Sequence, residues 1–261
     1  MSTHEPLILI TNDDGVYSRG IFALHQAIAD FGQTIVVAPE TEKSAVGHAI
    51  TISDPIKVRD VDRGNGFSGY AVGGTPADCV KLGVKALLKD RPDIIVSGIN
   101  RGANVGMSIL YSGTVSAATE GVLLGIPSMA VSLDAWVDPV YTYAAKVARR
   151  FTEIVLKRGL PPGTALNVNV PGIPENEIRG IRLTRQGQSY YEEEFDRSVD
   201  PRRRTYYWMD GRLVESEEEG DLDDAALRHK CVSVTPLHYN LTSHDSMKEL
   251  TLWDVFDNDR E

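Results

Sequence analysis

Leu7-Ile8-Leu9-Ile10-Thr11-Asn12-Asp13-Asp14-Gly15 is the stretch on which the fold turns. A short apolar run that stops at polar turn formers is the pattern of a buried strand feeding a loop. Beyond it, Ile21, Leu24, Ile28 and Phe31 recur at helical spacing, with Gly32 as a stop. Residues 34–38 are a second apolar run rich in β-branched side chains, ended by Pro39. Strand, loop, helix and strand make a βαβ unit, and its crossover dictates parallel strands.

The alternation continues outward from this unit. Residues 56–58 and 70–72 read as short strands around a glycine-rich turn at 64–69, a hairpin excursion. Thr75-Pro76-Ala77-Asp78 reads as a helix start with Thr75 as N-cap, the helix reaching about Leu88. Residues 93–97 are a further buried strand, broken by Gly98, and 99–113 a long Gly- and Asn-rich loop of the length that usually carries function. A helix at 114–124, a strand at 128–132, an amphipathic helix at 140–158 and a strand at 165–170 complete an α/β sheet covered on both faces. In that doubly wound plan, ligands sit outside the carboxyl ends of the strands.

Past Pro171 the character changes. Residues 181–184 and 205–209 are expected to be strands framing a charged protruding arm at 186–204 that holds Tyr190, Tyr191 and Arg202-Arg203-Arg204. The acidic stretch 215–224 is expected to be solvated, 231–236 to be a strand and 247–256 a terminal amphipathic helix. The expectation is one domain over 1–261, with a core to about residue 180 and the arm and C-terminal segment beyond it.

A formal charge of -10 over 261 residues argues against a nucleic-acid polymer or an anionic membrane as partner, since both require a cationic surface. Cys79 and Cys231 are far apart beside apolar residues, which suits reduced, buried thiols. Residues 1–6 lack a signal-peptide pattern and no run is apolar enough to span a bilayer, so the expected compartment is the cytoplasm.

Asp13 and Asp14 would emerge together at the carboxyl edge of the sheet, although Asn-Asp-Asp-Gly by itself is equally a turn. Ser44 follows the second strand and Asn100 the 93–97 strand, so four oxygen-bearing side chains meet at one edge. Two carboxylates, an amide and a hydroxyl suit one divalent cation, Mg²⁺ or Mn²⁺, better than Zn²⁺. Such a cation also relieves the repulsion of adjacent carboxylates. The loop at 97–106 matches neither the dinucleotide fingerprint nor a P-loop. Ser112-Gly113-Thr114 opens a helix, where the sequence allows both a plain N-cap and a resting place for phosphate.

Several motifs in order extend this pattern over nearly the whole chain: Ile10 to Val16, Arg19-Gly20-Ile21, Ser44, Gly74 to Val80, Ser97 to Asn100 with Gly102, Asn104 and Gly106, Ser112 to Ala118, Gly125 to Ser128, and Ser233 to Leu237. The chain thereby resembles the SurE family of survival-protein nucleotidases. The resemblance implies a metal-dependent 5′- and 3′-nucleotidase in which Asp13, Asp14, Ser44 and Asn100 bind one divalent cation, with activity on short polyphosphate as well. Asn104, Ser112, Gly113 and Thr114 are then the expected phosphate contacts, and Asp13, Asp14 and Asn100 the catalytic set. It also implies a Rossmann-like three-layer α/β/α core with a mostly parallel sheet, a projecting β-hairpin arm and a C-terminal swapping segment that build a homodimer or homotetramer. The loop around Ser44, with Ala45-Val46 and His48, is the weakest part of the match.

The expected reaction is in-line attack of a metal-activated water on phosphorus, Asp13 or Asp14 taking its proton. A covalent aspartyl-phosphate route ranks behind it because a D-x-D arrangement is absent. His48, His238 and His244 are weak candidates for a proton donor, and Tyr190, Tyr191, Tyr206, Tyr207 and Trp208 fit a subunit interface better than a base stack. The competing reading is a non-catalytic nucleotide-binding module on the same fold; a dehydrogenase lacks its glycine fingerprint.

Overall fold

The computed structural model describes residues 5–216, 220–253 and 255. β1 (Leu7–Thr11) is buried at every position, and its side chains alternate between two cores. Ile8 and Ile10 pack with Ile21, Leu24 and Ile28 of α1 (Arg19–Ile28) and with Ala144, Val147, Ala148 and Val155 of α4 (Thr142–Arg158). Leu9 packs on the other face with Cys79 and Val80 of α2 (Pro76–Leu82) and Ala117 of α3 (Gly113–Leu123). The period-two alternation of one strand thus defines three layers. Truncating Ile10 to alanine in so closed a setting costs about 2–5 kcal/mol.

Among the described residues the main sheet has nine strands. From one edge they are β3 (Val58–Gly64), β4 (Phe67–Val72), β2 (Gln33–Pro39), β1, β5 (Ile94–Arg101), β6 (Ser128–Asp134), β7 (Thr164–Pro171), β11 (Cys231–His238) and β8 (Gly180–Leu183). The run from β4 to β7 is parallel, while β3 and β11 lie antiparallel to their inner neighbours. The chain leaves β1 for β2 on one side and returns at β5 on the other, so a crevice opens at the carboxyl ends of β1 and β5.

Several expectations need correction. The strand at 93–97 does not stop at Gly98 but runs on to Arg101 with a register shift between Gly98 and Asn100, so only 102–112 forms the loop, itself holding a 3₁₀ turn at Gly106–Leu110. Thr75 caps α2 as expected, its hydroxyl accepting from Asp78 N at 3.1 Å while Asp78 accepts from Thr75 N at 2.9 Å. Beyond Leu82 the helix widens into a π turn, Gly83–Leu87. Residues 181–184 do not frame the arm: β8 is the edge of the main sheet, and the arm is the separate hairpin of β9 (Tyr190–Val199) and β10 (Thr205–Val214). The core therefore does not close near residue 180, because β8 and β11 complete it.

In the acidic stretch, Asp223 and Asp224 are buried at the start of α5 (Asp223–Arg228) rather than solvated, and residues 217–219 lie outside the described residues. The expected terminal helix is α6 (His244–Leu250), which buries none of its residues; positions 254 and 256 of that expectation lie outside the described residues. Cys79 and Cys231 are free, buried thiols. Among the described residues no helix is long and apolar enough to cross a membrane.

Candidate metal and phosphate site

The turn after β1 is built by Asn12, whose side-chain amide donates to Gly15 O at 3.0 Å and to Ser18 Oγ at 2.8 Å. Ser18 in turn caps α1. This leaves Asp13 and Asp14 at the crevice. Asp13 is only 5% exposed. Its Oδ1 accepts the Thr114 hydroxyl and its Oδ2 the Thr114 backbone N–H at 3.1 Å, so the first turn of α3 is aimed at this carboxylate. No side chain fits between them, since a Cβ on Gly113 would lie 2.8 Å from Asp13 Cβ. Burial nonetheless holds the Asp13 carboxyl above its usual range, the Thr114 hydrogen bonds opposing it only in part. Asp14 accepts the Arg101 backbone N–H at 3.3 Å. Burial first, then the negative charge of Asp13, push its carboxyl up to about 6.

This pair fits a hard divalent cation. Asp13 raises the proton affinity of its neighbour, a repulsion that a bound cation would relieve, and the side chains gathered here offer hard oxygen donors. Thr11 Oγ1 and Asn12 Oδ1 at the carboxyl end of β1, and Ser97 Oγ on β5 opposite Thr11, are buried without a hydrogen-bond partner. They suit the water shell that Mg²⁺ keeps. Asn100 donates its side-chain amide to Gly102 O at 2.8 Å, which turns its carbonyl oxygen free for a ligand. Ser44 is less direct: its exposed hydroxyl donates to Glu42 Oε1 at 2.6 Å. Its loop is tied to the site by Lys43 N, which donates to Asp13 O at 2.8 Å.

The family model described as survival protein SurE matches residues 8–193. A relative from Syntrophobacter fumaroxidans named 5′-nucleotidase SurE is 48% identical over 248 residues, which span 95% of this chain and 99% of that one. One of the same name from Syntrophus aciditrophicus is 49% identical over 243 residues, spanning 93% and 91%. The chain belongs to the SurE family. The crystal structure of a SurE protein from Aquifex aeolicus has the same fold, with a TM-score of 0.81 at 42% identity over 94% of this chain and 98% of that one.

The other residues expected at the site of this SurE-family chain are placed unevenly. Ser112 caps α3, its hydroxyl accepting Val115 N at 3.0 Å, and Thr114 is engaged with Asp13, so these two side chains build the helix start. Asn104 is knitted into the sheet. It donates its backbone N–H to Asn169 Oδ1 at 2.8 Å and its side-chain amide to Ser132 Oγ at 2.9 Å, while its carbonyl accepts Asn167 at 2.8 Å and Asn169 at 3.1 Å. His48 Nε2 stands 3.0 Å from Glu120 Oε2, and Lys81 Nζ 2.5 Å from Glu120 Oε1. Glu120 lies about 9 Å along α3 from Thr114, so His48 pins the Ser44 loop to that helix. His238 pairs with Thr164, the first residue of β7, at the sheet edge opposite the crevice.

Sequence reasoning missed five contributors. Glu42 sits close enough to raise both aspartates, and Arg101 Nη2 lies 3.9 Å from its carboxylate. Tyr141 feels the charges of Asp14, Arg101 and Arg19, its phenol raised first by burial and then by Asp14. Asn167 and Asn169 carried a usable signal, since two amides at strand spacing in an apolar run share one face.

Proposed function

We infer that this chain is a divalent-metal-dependent phosphomonoesterase that hydrolyses nucleoside 5′-monophosphates to nucleoside and phosphate. The observation that carries the reading is the adjacent pair of buried Asp13 and half-buried Asp14 at the sheet's switch point, Asp13 bonded to the start of α3 and Asp14 held up to about 6. The names of the relatives, 5′-nucleotidase SurE, point to the same reaction.

Asp13, Asp14 and Asn100 would hold one Mg²⁺ or Mn²⁺, with Ser44 joining if its hydroxyl turns from Glu42. When bound, the cation supplies Lewis acidity at the phosphoryl oxygens and lowers the pKa of water at the site. The chain's own groups supply the rest. Thr114 fixes Asp13 through two hydrogen bonds. The amino end of α3 favours a phosphate dianion, and Asn104 keeps the intervening loop in place. In the hydrolysis, a water oxygen bonds to phosphorus as the bond to the ribose oxygen breaks; the proton lost by the water goes to the Asp14 carboxylate, and the leaving alkoxide is protonated from solvent.

The finer parts of the proposal are activity on 3′-phosphates and short polyphosphate, a cytoplasmic location, and a homodimer or homotetramer assembled through the arm and the C-terminal swapping segment. The substrate set is small nucleotides, with no nucleic-acid polymer and no membrane as partner.

The test is phosphate release from nucleoside 5′- and 3′-monophosphates, simple phosphomonoesters and short polyphosphate, with Mg²⁺, Mn²⁺ or chelator, for wild type and Asp14→Asn. Metal-dependent release that the variant loses is the expected result. Nucleotide that binds but returns unchanged under every metal would replace the enzyme reading with that of a binding module.

A further inference from the structure

The connection from β6 to α4, residues 135–141, carries two aromatic rings to the rim of the crevice. Tyr141 packs beside β5, where a Cβ on Gly20 would lie 2.0 Å from Ile99 O and 3.3 Å from Tyr141 Cε1. Trp136 packs at the end of the same strand. A Cβ on Gly102 would lie 2.5 Å from Trp136 Cζ2 and 2.8 Å from its Cε2 and Cη2, so the indole rests directly on the Gly102 backbone. Gly102 is itself fixed, donating to Leu133 O at 2.8 Å and accepting Asn100 Nδ2 at 2.8 Å. Its φ of +97° also suits glycine alone.

The indole is thus seated two residues from Asn100 and one from Arg101, whose N–H holds Asp14. Yet it remains 61% exposed. A tryptophan with a rigid underside and a free surface beside a phosphate site has the makings of a stacking platform, because every nucleobase has a π-face and stacking tolerates any base.

We propose that Trp136 is the nucleobase platform of this site, a specificity-determining residue that stacks the base of a nucleoside monophosphate whose phosphate lies at Asp13 and Asp14. The proposal rests on the nucleotidase reading and names how its substrate is told from other phosphomonoesters. Stacking is released only with product, so its effect falls on KM rather than kcat.

The experiment compares adenosine 5′-monophosphate, cytidine 5′-monophosphate and glycerol 2-phosphate, with Mg²⁺, in wild type, Trp136→Ala and Trp136→Phe. Trp136→Ala should raise the KM of both nucleotides, relative to that of glycerol 2-phosphate, roughly tenfold, the factor given by stacking of about 1.4 kcal/mol. Trp136→Phe should restore most of it. A second readout needs no turnover: of the three tryptophans, Trp136 is left alone in the Trp208→Phe/Trp253→Phe variant, whose emission adenosine 5′-monophosphate should quench. An unchanged KM ratio, an equal loss on all three substrates, or the absence of quenching would each overturn the proposal. If wild type released no phosphate from any nucleotide, the nucleotidase reading would fall while quenching would still decide the platform.

Discussion

Asp14 is worth following through its titration. Its folded-state carboxyl at about 6 lies above the ordinary value of 3.8. Between those values the folded chain binds more protons than the unfolded one, so this group's contribution to stability falls as pH rises from about 4 to 6, by on the order of 2 kcal/mol. In chelator, Asp14→Asn should therefore melt above wild type at pH 7, with the gap closing toward pH 4. Mg²⁺ at pH 7 should raise the melting temperature of wild type and leave that of the variant nearly unmoved. Differential scanning calorimetry across pH, with and without Mg²⁺, checks both.

Thr114 gives a companion test. Thr114→Val deletes the hydroxyl donated to Asp13, a hydrogen bond to a charged group worth about 1.5–3 kcal/mol. Mn²⁺ affinity, read by titration calorimetry, should fall at least tenfold, and Thr114→Ser should recover it. The placement of Asp13 and Asp14 just past β1 was legible in the sequence because a strand end fixes where its next residues emerge, whereas Asn100, expected in a loop, lies within β5. The hydrogen bond of Ser44 to Glu42, and the seat of His48 on Glu120, were not, since each depends on how a loop settles on a distant surface.

At the level of elements, α5 acts as a clamp. Asp223, at its first position, accepts Gly187 N at 2.8 Å and Asp224 N at 2.9 Å on one oxygen and Gly106 N at 3.1 Å on the other. It joins the loop after β5 to the root of the arm, and Gln186 Nε2 closes the joint by donating to Gly106 O at 2.8 Å. Asp223→Ala should cost about 2–4 kcal/mol in urea unfolding, because buried N–H groups lose their acceptor. Amide exchange at Gly106 and Gly187 should quicken more than in β1. Reading 215–224 as solvated failed for the same reason: a count of charges does not see donors arriving from residue 106. The helices fared better, since a cap such as Thr75 with Asp78 is written within four residues.

For the whole molecule, the parallel half of the sheet was legible because β1, β4, β5 and β6 each lead into a helix that covers the sheet. β8 and β11 were read as strands but their place in the sheet was not, since β11 pairs with β7 some sixty residues earlier and β8 gains its place only through β11. The arm poses a different question. Its two strands pair from Tyr190 with Val214 to Val199 with Thr205, and expose Phe195, Tyr207, Trp208 and Met209. A two-stranded ribbon is marginal on its own in water, which fits the proposed self-association. Replacing residues 190–214 by a short turn, or introducing Tyr207→Ser with Trp208→Ser, should lower the mass seen by light scattering. A mass already that of a monomer in wild type would end the proposal.

The contact between Asp13 and Thr114 spans 101 residues, and it also sets a schedule during synthesis. At about 5–20 residues per second, the carboxylate leaves the ribosome roughly 5–20 seconds before the helix start that receives it. The first βαβ unit must wait through that interval with its charged turn still open to water. A nascent chain released before α3 has emerged would carry both aspartates and no site.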